Sequence, residues 1–365
     1  MANERLTQLR TLLDERHLQA VLITSAANRR YLSGFTGSAG ALLVTHDAAL
    51  IFTDSRYSIQ AAHEAPAFEV REINTETTFP QLLAQTAAER QLRHIACEAE
   101  HMTLAQYQRL DNALQPEGAS GTMLIVSNSL VEPLREVKDA TEIALLRHAV
   151  ALTDAALTAV LPTIRPDMTE RQVAWMLEVA LRERGADSLA FPIIVAAGPH
   201  AAWPHAQPGD EPLGTGRPII IDMGACYQGY HADLTRTIIL GEADAQFRQI
   251  YDIVLTAQQQ AIAGLRAGIA SSEVDALARD YITAAGFGPQ FCHGLGHGVG
   301  LDIHEGPTFR RRLPDSALSS AGYLRVGNVF SIEPGIYLQG WGAVRLEDLV
   351  LLHADHGEVL SQARK

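Results

Sequence analysis

The chain has 365 residues, 47% of them hydrophobic and 19% charged, the balance of a globular protein long enough for two domains with sizeable cores. A formal net charge of -13 argues against a nucleic-acid partner, which needs a basic surface. The cysteines (Cys97, Cys226 and Cys292) are too sparse for a disulfide framework. No apolar run of about eighteen residues is present to span a membrane, and MANERLTQLRTLLDERH lacks the apolar core of a signal peptide, so a cytoplasmic location is expected.

Residues 1–130 are expected to alternate helix and strand as an α/β domain. RLTQLRTLLDERH reads as helix, LQAVLIT as strand, and ALLVTH with ALIFTD as a hairpin. SIQAAHEA, FPQLLAQTAAERQL and TLAQYQRLDNAL are helical in pattern, separated by the strands FEVREI and HIACEAE and followed by TMLIVS. The polar segment 131–140, with Pro133, reads as a linker.

Residues 141–365 form the second domain, opened by the helical TEIALLRHAVALTDAALTAVLPTI. A repeat runs through it. TERQVAWMLEVALRERGA, with a capping box at Thr169 and Gln172, returns as SSEVDALARDYITAAGF, so that Val173 matches Val274 and Gly185 matches Gly286. IIIDMGACYQGYHADLTRTI returns as FSIEPGIYLQGWGAVRLEDL: in each, an apolar strand carries an acid, a Gln-Gly-aromatic turn follows, and the return strand carries a second acid. An acid inside an apolar strand is costly to bury without a partner. Asp222, Asp233, Glu333 and Glu347 together ask for cations, and two divalent ions would balance them. Mainly oxygen ligands with an imidazole or two suit Mn²⁺, Co²⁺ or Zn²⁺ better than a thiolate-type site would.

HGLGHGVGLDIHE, residues 293–305, adds three histidines. His293 and His297 have the i, i+4 spacing of a zinc helix, but each intervening glycine costs a helix about 1 kcal/mol relative to alanine. An extended segment is expected instead, with His293 and His297 on one face, glycines on the other where a neighbouring backbone or a substrate approaches closely, and His304 at its far end. A dinuclear site with four carboxylates has room for one imidazole, which leaves the others to bind substrate or move protons.

Taken in order, DMG…ADLTRT, GHGVGLDIHEGP, SIEPGIY and VRLEDL resemble the pita-bread metallopeptidases of family M24, the group holding methionine aminopeptidase, aminopeptidase P and prolidase. YLSGFTGSAGALLV and IFTDSRYSIQA are similar to the N-terminal domain of the creatinase, prolidase and aminopeptidase P branch. The resemblance implies a creatinase-like α/β domain followed by an α+β pita-bread catalytic domain with a pseudo-twofold repeat, and a homodimer. It carries the metal ligands onto Asp222, Asp233, His297, Glu333 and Glu347. His205 and His304 become the histidines at the scissile carbonyl, His293 a histidine on the proline side, and Arg345 a support for the metal-binding carboxylates.

On that resemblance the expected activity is two-metal hydrolysis of an Xaa-Pro bond in proline-containing peptides, with Mn²⁺ as first expectation and Co²⁺ or Zn²⁺ as alternatives. Glu333 is the candidate general base, and Tyr230 and His293 are candidates for the proline pocket. An Xaa-Pro aminopeptidase is the first expectation and an Xaa-Pro dipeptidase the second, with Arg310, Arg311 and Arg312 as candidates to grip a dipeptide's carboxylate. A non-catalytic peptide-binding module on the same fold is the third.

Overall fold

The computed structural model describes residues 2–115, 121–311 and 322–365. The chain divides into two compact units, Met1–Arg135 and Glu136–Lys365. The division falls inside a short helix, Glu132–Glu136, within the segment expected as a linker.

The first unit is built on one six-stranded mixed sheet. Its order is Glu69–Ile73, Ala49–Asp54, Ala41–Thr45, Ala20–Ile23, His94–Glu98 and Met123–Ser127. The expected hairpin is present, with Ala41 opposite Phe52 and Val44 opposite Ala49. Its central strands are buried throughout, which is why Ala20–Ile23 reads as a continuous apolar run rather than an alternating one. One helix, Ala26–Ser33, was not anticipated. Ser25 caps its start and Gly34, at φ 80, ends it, so its signal lies in the two ends rather than in apolar periodicity.

The second unit opens on the helix Ala140–Val160, capped by an Asp139–Glu142 box. Extended to Thr163, it is long and apolar enough by length and composition to cross a membrane. Here it packs as a core helix, burying Leu146, Ala149, Val150, Leu152, Ala156 and Leu157. The repeat is confirmed. Glu170–Glu183 and Ser271–Ala284 are helices of 14 residues each, followed by Gly185 and Gly286 at φ 101 and φ 92.

Each half has its hairpin. In the first, Pro218–Met223 pairs with Leu234–Ile239, Asp222 opposite Thr235. In the second, Val329–Ile332 pairs with Asp348–Leu352, and Gly335–Leu338 continues the line opposite Gly342–Arg345. Each half also buries its own core, around Ile219, Ile221 and Leu234 in one and Phe330, Ile332 and Val344 in the other.

Residues 293–305 are not helical, but they are not one strand either. Before Glu305 only Gly296–Gly298 is strand, pairing His297 with Thr308 of Glu305–Phe309 and slipping register between His297 and Gly298. His304 lies in the bend between these two strands, so it reaches the site from a loop. The glycine face is filled by backbone. A Cβ on Gly296 would collide with the Ser331 carbonyl, and one on Gly298 with that of Gly306.

Candidate metal centre

The two hairpins bring their acids together at one place in the second unit. Asp233, His297 and Glu347 offer ligand atoms that all lie within 4.8 Å of one another. His297 Nε2 stands 3.6 Å from Asp233 Oδ2 and 3.4 Å from Glu333 Oε1. The His297 Nδ1 lies 3.1 Å from the Gly298 carbonyl, so Nδ1 carries the proton and the Nε2 lone pair faces the carboxylates. Asp222 joins the cluster through Arg345, whose guanidinium donates to its Oδ2.

Arg345 and Thr235 organise the group. The Arg345 Nε donates to Thr235 Oγ1 at 3.1 Å, and that hydroxyl donates to Glu347 Oε2 at 2.6 Å. Another Arg345 nitrogen donates to the Tyr337 hydroxyl at 2.9 Å and to the Pro204 carbonyl at 3.3 Å. The second of these bonds ties the residue before His205 to the same guanidinium. Ser331 accepts from the His297 backbone N–H and donates to Glu333 Oε1.

Two carboxylate oxygens, Asp222 Oδ1 and Glu347 Oε1, are buried without a hydrogen-bond partner among the described residues. A buried carboxylate oxygen left in this state is strongly unfavourable unless a cation meets it. The donor set is four carboxylates and one imidazole nitrogen, all buried or half-buried, which suits divalent ions that accept oxygen and nitrogen. These residues therefore fit a pair of divalent metal ions.

Electrostatics point the same way. Burial, with repulsion from Glu347, Asp222 and Glu333, holds the Asp233 carboxyl well above the usual range. Burial and the Glu333 charge do the same to Glu347. Burial pushes Glu333 up to about 7 against the pull of Arg345, and it raises Asp222 despite the same arginine. His297 is held down at about 4, first by burial and then by His304. One cationic Arg345 is not enough for four acids in one low-dielectric space, so without further positive charge the group as a whole retains protons.

The remaining expected residues surround this cluster. The His304 ring centre lies 4.2 Å from that of His297. His205, exposed on a loop, lies close enough to Asp222, His293 and His304 to enter the electrostatics of each. His293 is held at about 4 by burial and Arg345; its Nδ1 faces the Gly294 carbonyl at 2.7 Å and its Nε2 lies 3.0 Å from the Tyr337 hydroxyl. With the proton on Nδ1, the tyrosine donates to Nε2 while accepting from Arg345. The Tyr230 ring is buried, and its hydroxyl donates to Glu142 at 2.9 Å. Arg310 and Arg311 are exposed; a Cβ on Gly294, next to His293, would lie 3.4 Å from Arg310 Cγ. Arg312 falls outside the described residues.

Several residues of the site escaped the sequence reading. Tyr337 had only a faint signal, a polar-tipped aromatic on the strand after Glu333. Glu170, at the start of its helix, accepts from the Ala197 and Gly209 backbone N–H groups, both at 2.8 Å, and faces His200 Nδ1 at 2.9 Å. It thus pins both ends of the loop that carries His205. Lys138 donates to Glu305 at 2.8 Å with both side chains buried, anchoring the residue after His304. No local pattern announces such pairs, because their partners are distant in sequence.

Residues 144–354 match the model of metallopeptidase family M24, and residues 5–137 match the creatinase/prolidase N-terminal domain. The chain is 30% identical over 368 residues to the Xaa-Pro dipeptidase of Pyrococcus horikoshii, covering 100% of this chain and 98% of that protein. It resembles the structure of an Xaa-Pro dipeptidase from Bacillus anthracis with a TM-score of 0.93 and 36% identity, covering 100% and 99% of the two chains. For the X-Pro aminopeptidase of Thermotoga maritima the TM-score is 0.86 and the identity 35%, covering 96% and 97%.

Proposed function

The chain belongs to metallopeptidase family M24, with a creatinase/prolidase N-terminal domain ahead of a pita-bread catalytic domain, and from that premise we propose that it hydrolyses the Xaa-Pro bond of short peptides. The observation that carries this reading is the cluster of Asp222, Asp233, His297, Glu333 and Glu347 with its two unpartnered buried oxygens. These five residues would hold two divalent ions, Mn²⁺ before Co²⁺ or Zn²⁺. When bound, such ions supply Lewis acidity and lower the pKa of water, so that hydroxide is available at neutral pH.

The chain's own groups do the rest. Glu333 Oε1 is engaged by Ser331, which leaves Oε2 to take the proton of the attacking water and pass it to the leaving proline nitrogen. His304, with its pKa lowered by burial and His205, is neutral at pH 7 and donates an N–H to the carbonyl oxygen as negative charge develops there. His205, on the loop tied through Pro204 to Arg345, is the second donor to that oxygen. His293 and Tyr337 form a wall against which the proline ring packs, their rings 5.5 Å apart and edge to face. An Xaa-Pro amide has no N–H to recognise, so shape must select it.

Dipeptides are the preferred substrates in this reading, which reverses the order expected from the sequence. The Pyrococcus horikoshii and Bacillus anthracis relatives are both Xaa-Pro dipeptidases. Arg310, whose Cγ lies near Gly294 beside His293, is the candidate to grip the carboxylate of a C-terminal proline bound against His293. The aminopeptidase is the second reading, favoured by the likeness to the Thermotoga maritima enzyme. Offering Xaa-Pro and Xaa-Pro-Yaa side by side with added Mn²⁺ decides between them. Cleavage of the dipeptide alone is expected; cleavage of the tripeptide would restore the aminopeptidase, and cleavage of neither would leave a peptide-binding module.

A further inference from the structure

Glu333 and Glu347 face each other across two antiparallel strands. Ile332 is opposite Asp348 and Gly335 is opposite Arg345, so the register is unchanged across the interval and the two glutamates are direct neighbours. Their own backbone N–H groups point away from each other, Glu333 to the Leu295 carbonyl at 2.8 Å and Glu347 to that of Thr235 at 3.1 Å. The next hydrogen-bonded pair should join Pro334 and Leu346. The Leu346 N–H does reach the Pro334 carbonyl, at 3.4 Å, but the reciprocal bond cannot form, because proline has no N–H to give the Leu346 carbonyl.

A side chain fills that vacancy. Gln258, fully buried on the helix Ala245–Ala263, donates from Nε2 to the Leu346 carbonyl at 3.1 Å and to the Ile332 carbonyl at 2.9 Å. These carbonyls immediately precede the two glutamates. The orientation of the carboxamide is fixed, since turning it over would set Oε1 against two other acceptors. The equivalent helix of the first half, Ala140–Val160, carries Thr153 at the corresponding position counted from its start. Its Oγ1 accepts from the Ala225 N–H, beyond an uninterrupted ladder, and spans no pair of strands.

We propose that Gln258 is a positioning residue for the metal-binding carboxylates. It supplies the donor that Pro334 removes and sets the spacing of the two backbones from which Glu333 and Glu347 project. This rests on the reading of the cluster as a dinuclear metal site.

The test compares Q258M and Q258E, which keep the volume but lose the double donor, with V254A. Val254 is buried one turn away on the same helix and touches neither carbonyl through a hydrogen bond. Mn²⁺ titration and the visible spectrum of the Co²⁺-loaded protein are read beside Tm. Both Gln258 variants are expected to lose about tenfold or more in affinity for at least one ion, the usual scale for groups that hold ligands in place, and to shift the Co²⁺ bands. V254A is expected to lower Tm and leave both readouts alone. P334A placed in Q258M restores a backbone N–H and should recover part of the lost affinity. Wild-type affinity and spectrum in a folded Gln258 variant would overturn the proposal, as would equal loss in V254A or no recovery in the double variant. Failure of both Gln258 variants to fold would also overturn it, assigning the residue to the core as a whole. A wild-type protein that takes up no Co²⁺ would instead sink the reading of the site, and this inference with it.

Discussion

The two halves of the catalytic unit solve the same problem differently. In the first, Asp222 sits inside an unbroken ladder of six pairs, opposite Thr235, and Asp233 lies two residues before that threonine, so the two aspartates are offset along the strands. In the second, the glutamates face each other directly at a point where a proline interrupts the hydrogen bonding. Like charges set directly opposite each other destabilise a strand pair, so the second half depends more on outside help. Part of that help crosses between the halves. Thr235 of the first donates to Glu347 of the second, while Arg345 of the second donates to Asp222 of the first. The site is shared rather than summed, so damage in one half should appear in the other.

The sharpest way to break this comparison is Glu347→Ala, which removes the carboxylate that both halves hold. Metal uptake and Xaa-Pro hydrolysis should vanish together, and metal analysis of the purified variant that still found two ions would show the assignment to be wrong. Arg345→Met should come next. It leaves Asp222 buried without its cation and should cost about 3–5 kcal/mol, as breaking buried ion pairs does, measured by urea unfolding of the metal-free protein. A loss under 1 kcal/mol, the scale of a surface ion pair, would mean that the halves are not interlocked through this residue.

His304→Ala touches neither hairpin. The expected outcome is a fall of about 10²–10³ in kcat, the scale for one oxyanion donor, with metal content near normal; a variant stripped of metal would make His304 a ligand. Thr235→Val should weaken metal binding by about 10–100-fold although the substitution lies in the first half and the oxygen it releases belongs to the second. Unchanged affinity in calorimetry would leave Glu347 indifferent to its neighbour.

The smallest effect concerns pH. Glu333 is raised to about 7 and Asp222, Asp233 and Glu347 are raised as well, whereas in the unfolded chain such groups titrate at about 4. Between those values the folded carboxyls hold protons that the unfolded chain has released, so their contribution to metal-free stability falls as pH rises. His293 and His297, held at about 4, oppose it below about 6.5. Above that only the carboxyl contribution remains, so stability should fall there. Bound metal replaces those protons, so the stabilisation it brings should grow over the same window. Melting curves of chelator-treated and Mn²⁺-loaded protein from pH 5 to 8 test this. A metal-free Tm that does not fall above about pH 6.5, where the histidines no longer titrate, would contradict the crowding of charge described above.

Much of this site was legible in the sequence because hairpins and repeats are local patterns. Asp222 and Glu333 stood out as acids in apolar strands, and the helices after Thr169 and Ala270 could be aligned residue by residue. The histidine-rich segment was legible only as non-helical. Its division into a three-residue strand, a slipped register and a bend depends on the backbones of Ser331 and Gly306, which no local pattern contains. Tyr337, Glu170, Lys138 and Gln258 stayed hidden for a related reason. Each is an ordinary residue whose partner lies elsewhere in the chain, and Gln258 mid-helix resembles any solvent-facing glutamine until its helix is packed.

The filled glycine face has a practical consequence for anyone wishing to redirect this protein to other peptides. A library randomised at Gly296 and Gly298 would chiefly sample proteins that cannot close, since any side chain there meets a neighbouring backbone. Diversity belongs instead on the loop that brings in His205. There Trp203 stands 66% exposed, its ring 5.1 Å from that of the anchored His200. That position can take new shapes while the loop ends, held by Glu170, keep the histidine in place.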